Sequence, residues 1–195
     1  MEFSFLYALQ EINNAFLDSI MIIFSTLGNS GFIWIVITVV LLFTKKYREC
    51  AVAIAVALLF STLICNIALK NLVERPRPFR IDEQVILKIE EPPDYSFPSG
   101  HTFSSFAAAV ALFIYSRKMG MAALALAFAI AFSRLYLFLH FPTDVLASVV
   151  LGSATAVLAT FLVRKFMRNT LQKAGWIALP AEPASEGGKN EFRND

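Results

Sequence analysis

Apolar residues run through the chain in long blocks separated by short polar breaks, and the block lengths set the elements. A helix that crosses about 30 Å of hydrocarbon needs roughly 20 residues. Cys50 to Leu69, Met119 to Leu139 and Val145 to Val163 meet that length. Phe32 to Thr44 and Phe103 to Tyr115 are shorter and reach it by borrowing small or polar flanks such as Asn29 and Ser99. Ala15 to Leu27 is the weakest run, because it carries Asp18, and the Gly28-Asn29-Ser30-Gly31 that follows reads as a tight turn. Residues 2–13 mix Phe3, Phe5, Leu6, Leu9 and Ile12 with Glu11 and Asn13, a pattern that predicts an amphipathic helix lying in the membrane interface. The expected fold is an all-α membrane protein, a bundle of six transmembrane helices with an N-terminal amphipathic interfacial helix. Five spans remain if the first run only lies in the interface.

Composition removes the soluble alternatives. Of 195 residues 57% are apolar and 16% charged, and the mean hydropathy is +0.61, more apolar surface than a water-soluble domain of this size can hide. A formal charge of +2 gives no basic face for a nucleic-acid partner, so none is expected. The cations gather at the ends of apolar runs instead. Lys45, Lys46 and Arg48 follow the second run, Arg117 and Lys118 the fourth, and Arg164, Lys165, Arg168 and Lys173 the sixth. With six spans these clusters share one side, which the positive-inside rule makes cytoplasmic, with both termini there. The insert from Lys70 to Pro98 also carries five Lys and Arg residues but falls on the opposite, extracytoplasmic side, so its cations have another task. Residues 1–179 are expected to form one membrane-embedded domain. Residues 180–195, rich in Pro, Gly, Glu and Asn, are expected to form a disordered cytoplasmic tail. Met1-Glu2-Phe3 lacks the positive start of a secretory signal, so no cleavage is expected.

Small residues mark where the helices meet. Ala107, Ala108, Ala109 and Ala111, the alternate alanines from Ala123 to Ala131, and Ser148, Gly152 and Ala156 at four-residue spacing allow backbones to approach closely. Cys50 and Cys65 lie fifteen positions apart in one run, about 22 Å along a helix, too far for a disulfide.

Ionisable groups in or beside membrane helices are costly and call for a function. They concentrate in Lys70 to Pro78, in Tyr95 to His101, and in Ser133 to Asp144, and following the chain up and down puts all three on one outer face. The only histidines, His101 and His140, meet there. Lys70, Arg77 and Arg134 surround them, and Ser99-Gly100-His101 opens a helix whose free N–H groups attract anions. Together these describe a phosphate pocket with two imidazoles. Asp144, four residues after His140, can reach back to one ring nitrogen and leave the other free to attack. Each element alone has a plainer reading: a snorkelling cation, a helix cap, a stiff Arg-Pro-Arg-Pro loop, or a metal half-site at His140 and Asp144 that nothing completes. Their spacing and shared face favour the pocket.

Lys70 with six residues before Arg77-Pro78, then Pro98-Ser99-Gly100-His101, then Ser133-Arg134 with five residues before His140 and three more before Asp144, resembles the full tripartite signature of the type-2 phosphatidic acid phosphatase family, which includes the vanadium haloperoxidases. The resemblance covers Lys70 to Asp144 without a departure at any motif position. It implies a metal-independent, cofactor-free phosphatase. His140 would attack phosphorus to form a phosphohistidine, Asp144 would orient it, and His101 would protonate the leaving oxygen. Lys70, Arg77, Ser99, Gly100 and Arg134 would hold the phosphoryl oxygens. The expected partner is a membrane lipid phosphate. Small bacterial members with an outward site suggest undecaprenyl diphosphate, with phosphatidylglycerol phosphate or phosphatidic acid as alternatives. A vanadate-dependent peroxidase fits the pocket but not the hydrophobic chain. A non-catalytic lipid-binding protein would need the cations but not His101, His140 and Asp144.

Overall fold

The computed structural model describes residues 2–177, and their regular structure is all helical, with no strand among them. Helix α1 spans Glu2–Glu11, α2 Ala15–Leu27, α3 Phe32–Leu42 and α4 Arg48–Ser61. A π-helical stretch, Thr62–Leu69, carries α4 into the short α5, Lys70–Val73, and α6 is Pro78–Ile81. Then come α7 (Gly100–Tyr115), α8 (Arg117–Tyr136), α9 (Pro142–Leu162) and, after a second π-helical stretch, α10 (Arg168–Lys173). The expected tail, residues 180–195, lies outside the described residues.

Three stretches are long and apolar enough to cross a membrane: Lys45–Ile81, Arg117–Tyr136 and Pro142–Lys173. A fourth appears when Ala15–Leu27 and Asn29–Leu42, bent by 50° against each other, count as one. Helix α7 is apolar but has only 16 residues. By length and composition the described residues thus hold three crossing stretches, or four with the bent pair, against the six expected. The Gly28–Gly31 segment bends the chain without reversing it, with Ser30 and Gly31 at positive φ, so the first two apolar runs form one path. Arg134 near the end of α8 bonds Ser25 of α2. Further along the path, Trp34 Nε1 of α3 donates to Ser105 Oγ of α7 at 2.9 Å. The bundle is built from α2–α3, α4–α5, α7, α8 and α9.

The ends of these passes sort the charges. At one end Glu49 accepts from Tyr115 OH at 3.1 Å and pairs with Arg168 at 3.4 Å, while Arg48 Nη1 donates to the Trp176 carbonyl at 3.2 Å. The three basic clusters share that end. At the other end Glu2 pairs with Arg75 and Thr143. The described chain thus begins at the Arg75 end of the bundle and finishes at the Glu49 end. Helix α1 also differs from a simple interfacial helix. Leu6 and Leu9 are buried, Leu6 in a cluster with Phe79, Phe138, Leu139 and Phe141, and Phe3 stacks edge-on against Phe141 at 5.3 Å. Its apolar side holds down the loop between α8 and α9.

The small residues pack as their spacing predicts. A Cβ on Gly152 of α9 would stand 2.5 Å from the Phe103 carbonyl oxygen of α7, a contact only a backbone shift can relieve. Gly152→Val should therefore destabilise the bundle by about 1–3 kcal/mol, the usual range for overpacking. A thermal midpoint in detergent equal to that of the unaltered protein would show that α7 and α9 are not locked at this crossing.

Candidate active site

The loop from Leu137 to Phe141 leaves α8 and turns at once into α9, and local chemistry fixes that turn. Pro142 supplies a preset φ at the first helical position, and Asp144 Oδ2 accepts the Phe141 N–H at 2.9 Å. His140 is thereby held in the turn, about 1% exposed.

The two ring nitrogens of His140 have distinct partners. Nδ1 lies 2.8 Å from the Ser96 carbonyl oxygen, which can only accept. Nε2 lies 3.1 Å from Arg77 Nη1, which can only donate. The hydrogen is therefore on Nδ1 and the lone pair on Nε2, facing the guanidinium. Burial first, and then the nearby charges of Arg77, Arg134 and Lys70, push the His140 pKa well below the ordinary histidine value. The ring is a neutral imidazole with a free lone pair on Nε2.

Asp144 stands differently from the expectation of a direct bond to His140. Its Oδ2 is 3.7 Å from Nδ1, too long for a hydrogen bond. Ser96 intervenes: its hydroxyl donates to Asp144 Oδ2 at 2.5 Å, and its carbonyl takes the imidazole N–H. Asp144 is fully buried, and its other oxygen accepts from Arg75 Nη1 at 2.6 Å. The Arg75 guanidinium also lies over the Phe141 ring, 4.0 Å from its centroid, and bonds Glu2 Oε2 at 2.7 Å. A buried carboxylate needs such full pairing to remain charged.

The remaining predicted residues gather at the same end. Arg77 is 2% exposed and Lys70 5%. Both donate to Asp94, and Arg77 also bonds the Asp94 and Leu139 carbonyls at 2.9 Å each. The π-helical stretch before Lys70 brings Asn66 against the start of α7, where a Cβ on Gly100 would stand 2.9 Å from Asn66 Oδ1 and 3.7 Å from Lys70 Nζ. A side chain at position 100 would displace the Asn66 amide. Ser99 is buried, and its hydroxyl accepts from Thr102 rather than capping α7, so the first N–H groups of the helix keep their anion-binding capacity. Arg134 is also buried. Its Nη1 donates to Ser25 Oγ, while its Nε has no partner among the described residues. His101 Nε2 bonds Asn29 Oδ1 at 2.8 Å, and Gly28 makes room for the ring, since a Cβ there would lie 2.7 Å from His101 Cδ2.

The sequence reading missed Ser96, Asp94, Arg75, Glu2 and Asn29. Ser96 and Arg75 sit beside recognised motif residues. Glu2 and Asn29 carry no local signal, because only the tertiary fold brings them here.

Residues 50–168 match the PAP2 superfamily. The chain belongs to that superfamily. Among curated relatives, this PAP2 chain is 31% identical over 140 residues to the undecaprenyl-diphosphatase of Sulfolobus acidocaldarius, covering 71% of this chain and 67% of that one. It is 28% identical over 154 residues to the undecaprenyl-diphosphatase BcrC of Bacillus subtilis, covering 79% and 77%. The crystal structure of a transmembrane PAP2-type phosphatidylglycerolphosphate phosphatase from Bacillus subtilis superposes with a TM-score of 0.69 at 25% identity, covering 85% of each chain. The protein is a phosphatase, and its apolar helices place it in a membrane.

The lowered pKa of His140 has a kinetic consequence. A nucleophilic imidazole must be neutral, and this one stays neutral as pH falls through the ordinary histidine range. The acid limb of kcat/KM, which reports the free enzyme, should therefore lie below about 6.5. A limb at or above that value in a pH–rate profile would contradict the neutral, cation-flanked imidazole.

Proposed function

We propose that this protein hydrolyses a lipid diphosphate at the extracytoplasmic face of the membrane, with undecaprenyl diphosphate as the preferred substrate and its monophosphate as the product. The observation that carries the mechanism is the His140 Nε2 lone pair facing Arg77. Nε2 attacks the terminal phosphorus, an N–P bond forms, and the bond from phosphorus to the bridging oxygen breaks. His101 gives the leaving oxygen its proton. Water then gives a proton back to His101 as it attacks the phosphohistidine, the N–P bond breaks, and phosphate leaves with His140 restored. Lys70, Arg77, Arg134 and the N–H groups at Ser99 and Gly100 hold the phosphoryl oxygens. Their charge does the work that a divalent metal does in many phosphoryl-transfer sites, so the reaction needs no metal. Asp144 acts through Ser96 to keep the hydrogen on Nδ1.

A cavity of about 540 Å³ supports a lipid substrate. Lys70, Asp94, Gly100 and His101 line it together with the apolar Ile35, Leu58 and Leu59, a pairing suited to a charged headgroup on a hydrocarbon chain. The undecaprenyl-diphosphatases among the relatives favour the isoprenoid diphosphate. Residues 2–177 act as one membrane-embedded unit. With the basic clusters inside, the site and the N-terminus face outside and the C-terminal end faces the cytoplasm.

Purified protein in excess EDTA should release phosphate from undecaprenyl diphosphate faster than from phosphatidylglycerol phosphate, phosphatidic acid or diacylglycerol diphosphate. His140→Ala should abolish release, a fall of at least about a thousandfold, the scale lost when a covalent nucleophile is removed. Preference for a glycerophospholipid would replace the substrate, and loss of activity in EDTA restored by Mg²⁺ would refute metal independence. A His140→Ala variant near full activity would sink the nucleophile.

The orientation is tested with cysteines introduced at Glu91 and Met119, the native Cys50 and Cys65 being buried. An impermeant thiol reagent on intact cells should label position 91 and spare 119. The reverse pattern would invert the topology.

A further inference from the structure

Asp94 lies in the stretch between Lys70 and Pro98 and belongs to none of the three motif segments. Its carboxylate is nevertheless the shared partner of two cations: Lys70 Nζ donates to Oδ2 and Arg77 Nη2 to Oδ1. The other terminal nitrogen of the same Arg77 lies 3.1 Å from His140 Nε2. A group held between Lys70 and Arg77 thus sits beside the nucleophilic lone pair, where a phosphoryl group in line for attack would place its oxygens. Lys70 and Arg77 are nearly enclosed, while the Asp94 side chain is 45% exposed. The cations are fixed by the fold, and the carboxylate is the partner with room to leave.

We propose that Asp94 is a specificity-determining competitor, whose carboxylate occupies the Lys70–Arg77 pair and admits only a phosphoryl anion able to displace it. This rests on the reading above that Lys70 and Arg77 hold the transferred phosphoryl group. Two consequences follow from the charges. Inorganic phosphate, once hydrolysed from His140, meets a carboxylate that competes for the same donors, and leaves. A lipid diphosphate, with charge on two phosphates, displaces the carboxylate more readily than the monophosphate it becomes, so the product is not drawn back into the site. Both effects follow from the same pair of charge-assisted hydrogen bonds, which bind whichever anion is present.

The test is calorimetric titration of inorganic phosphate into the full-length protein in detergent, alongside the ratio of kcat/KM for undecaprenyl diphosphate over undecaprenyl phosphate. Asp94→Asn should bind phosphate about tenfold more tightly, the loss of roughly one charge-assisted bond from the competitor. It should also narrow the diphosphate-to-monophosphate ratio by a similar factor, whereas Asp94→Glu should stay close to the unaltered protein in both. Phosphate affinity that is unchanged or weakened in Asp94→Asn would overturn the proposal and make Asp94 a scaffold for the two cations. Failure of both Asp94→Asn and Asp94→Ser to fold would assign it to that scaffold as well. Lys70→Ala separates the two readings. If it abolishes phosphate binding while Asp94→Asn leaves binding unchanged, the phosphate site stands and the competitor falls. If phosphate binding is indifferent to Lys70→Ala, the site reading falls with it.

Discussion

Everything at the outer end of this bundle depends on keeping positive charge buried beside a neutral imidazole. Lys70, Arg77 and Arg134 are each no more than 5% exposed, and an unpaired cation at such burial is among the most costly arrangements a fold can hold. The chain meets that cost with anions and carbonyls from elements far apart in sequence. Asp94 and Leu139 serve Arg77, Asp94 serves Lys70, and Ser25 serves Arg134. Burial and then the same cations keep a second proton off His140, so the neutral imidazole and the cations beside it are products of one electrostatic arrangement. Asp94 shows the balance from the carboxylate's side. Burial alone would raise its pKa, and the charges of Arg77 and Lys70 reverse this, holding it well below the usual carboxylate range.

A second layer fixes the geometry of the first. Ser96 joins the loop before α7 to the loop before α9: its N–H donates to the Arg75 carbonyl at 2.8 Å, its carbonyl takes the His140 hydrogen, and its hydroxyl meets Asp144. Arg75 continues the chain outward to Glu2, whose carboxyl is held below its usual value because bonds from Thr143 and Arg75 outweigh the effect of its partial burial. The N-terminal helix is therefore part of the site's frame. Its Phe3 and Leu6 press on Phe138 and Phe141, the residues on either side of the nucleophile's turn.

Motif chemistry was legible in the sequence because its residues are rare in a membrane chain and sit at fixed spacings. Lys70, Arg77, Ser99, Gly100, His101, Arg134, His140 and Asp144 all lie at one end of the bundle. Gly152 was legible for a similar reason, since small residues repeated every four positions have a single face to offer. Path topology was not. The bend at Gly28–Gly31 looked like a reversal, because a glycine-flanked polar break between two apolar runs marks a hairpin and a kink equally well. A hairpin there would make two spans of what is one path bent by 50°. The Asp144–His140 spacing was correct in register and misleading in contact, since a four-residue offset does not reveal that Ser96, from another loop, will stand between them.

That bend also explains why Asp18 and Asn29 can sit in an apolar path at all. Asp18 lies at the outer end, where Lys88 pairs with it at 2.5 Å and the Tyr136 hydroxyl donates to it at 2.8 Å. Asn29 lies at the break itself, where the chain leaves helical geometry and a polar side chain can turn inward to His101. A straight helix would have sent one or both toward lipid, where no partner satisfies a carboxylate or an amide. By bending, the path spends its polar residues on the site: one end anchors the insert through Lys88, and the break steadies the second histidine. The cations of the insert, which run against the positive-inside pattern, have the same explanation. Arg75, Arg77, Arg80 and Lys88 are each bound to a named acceptor of the fold, so they build the outer end of the molecule and do not orient it.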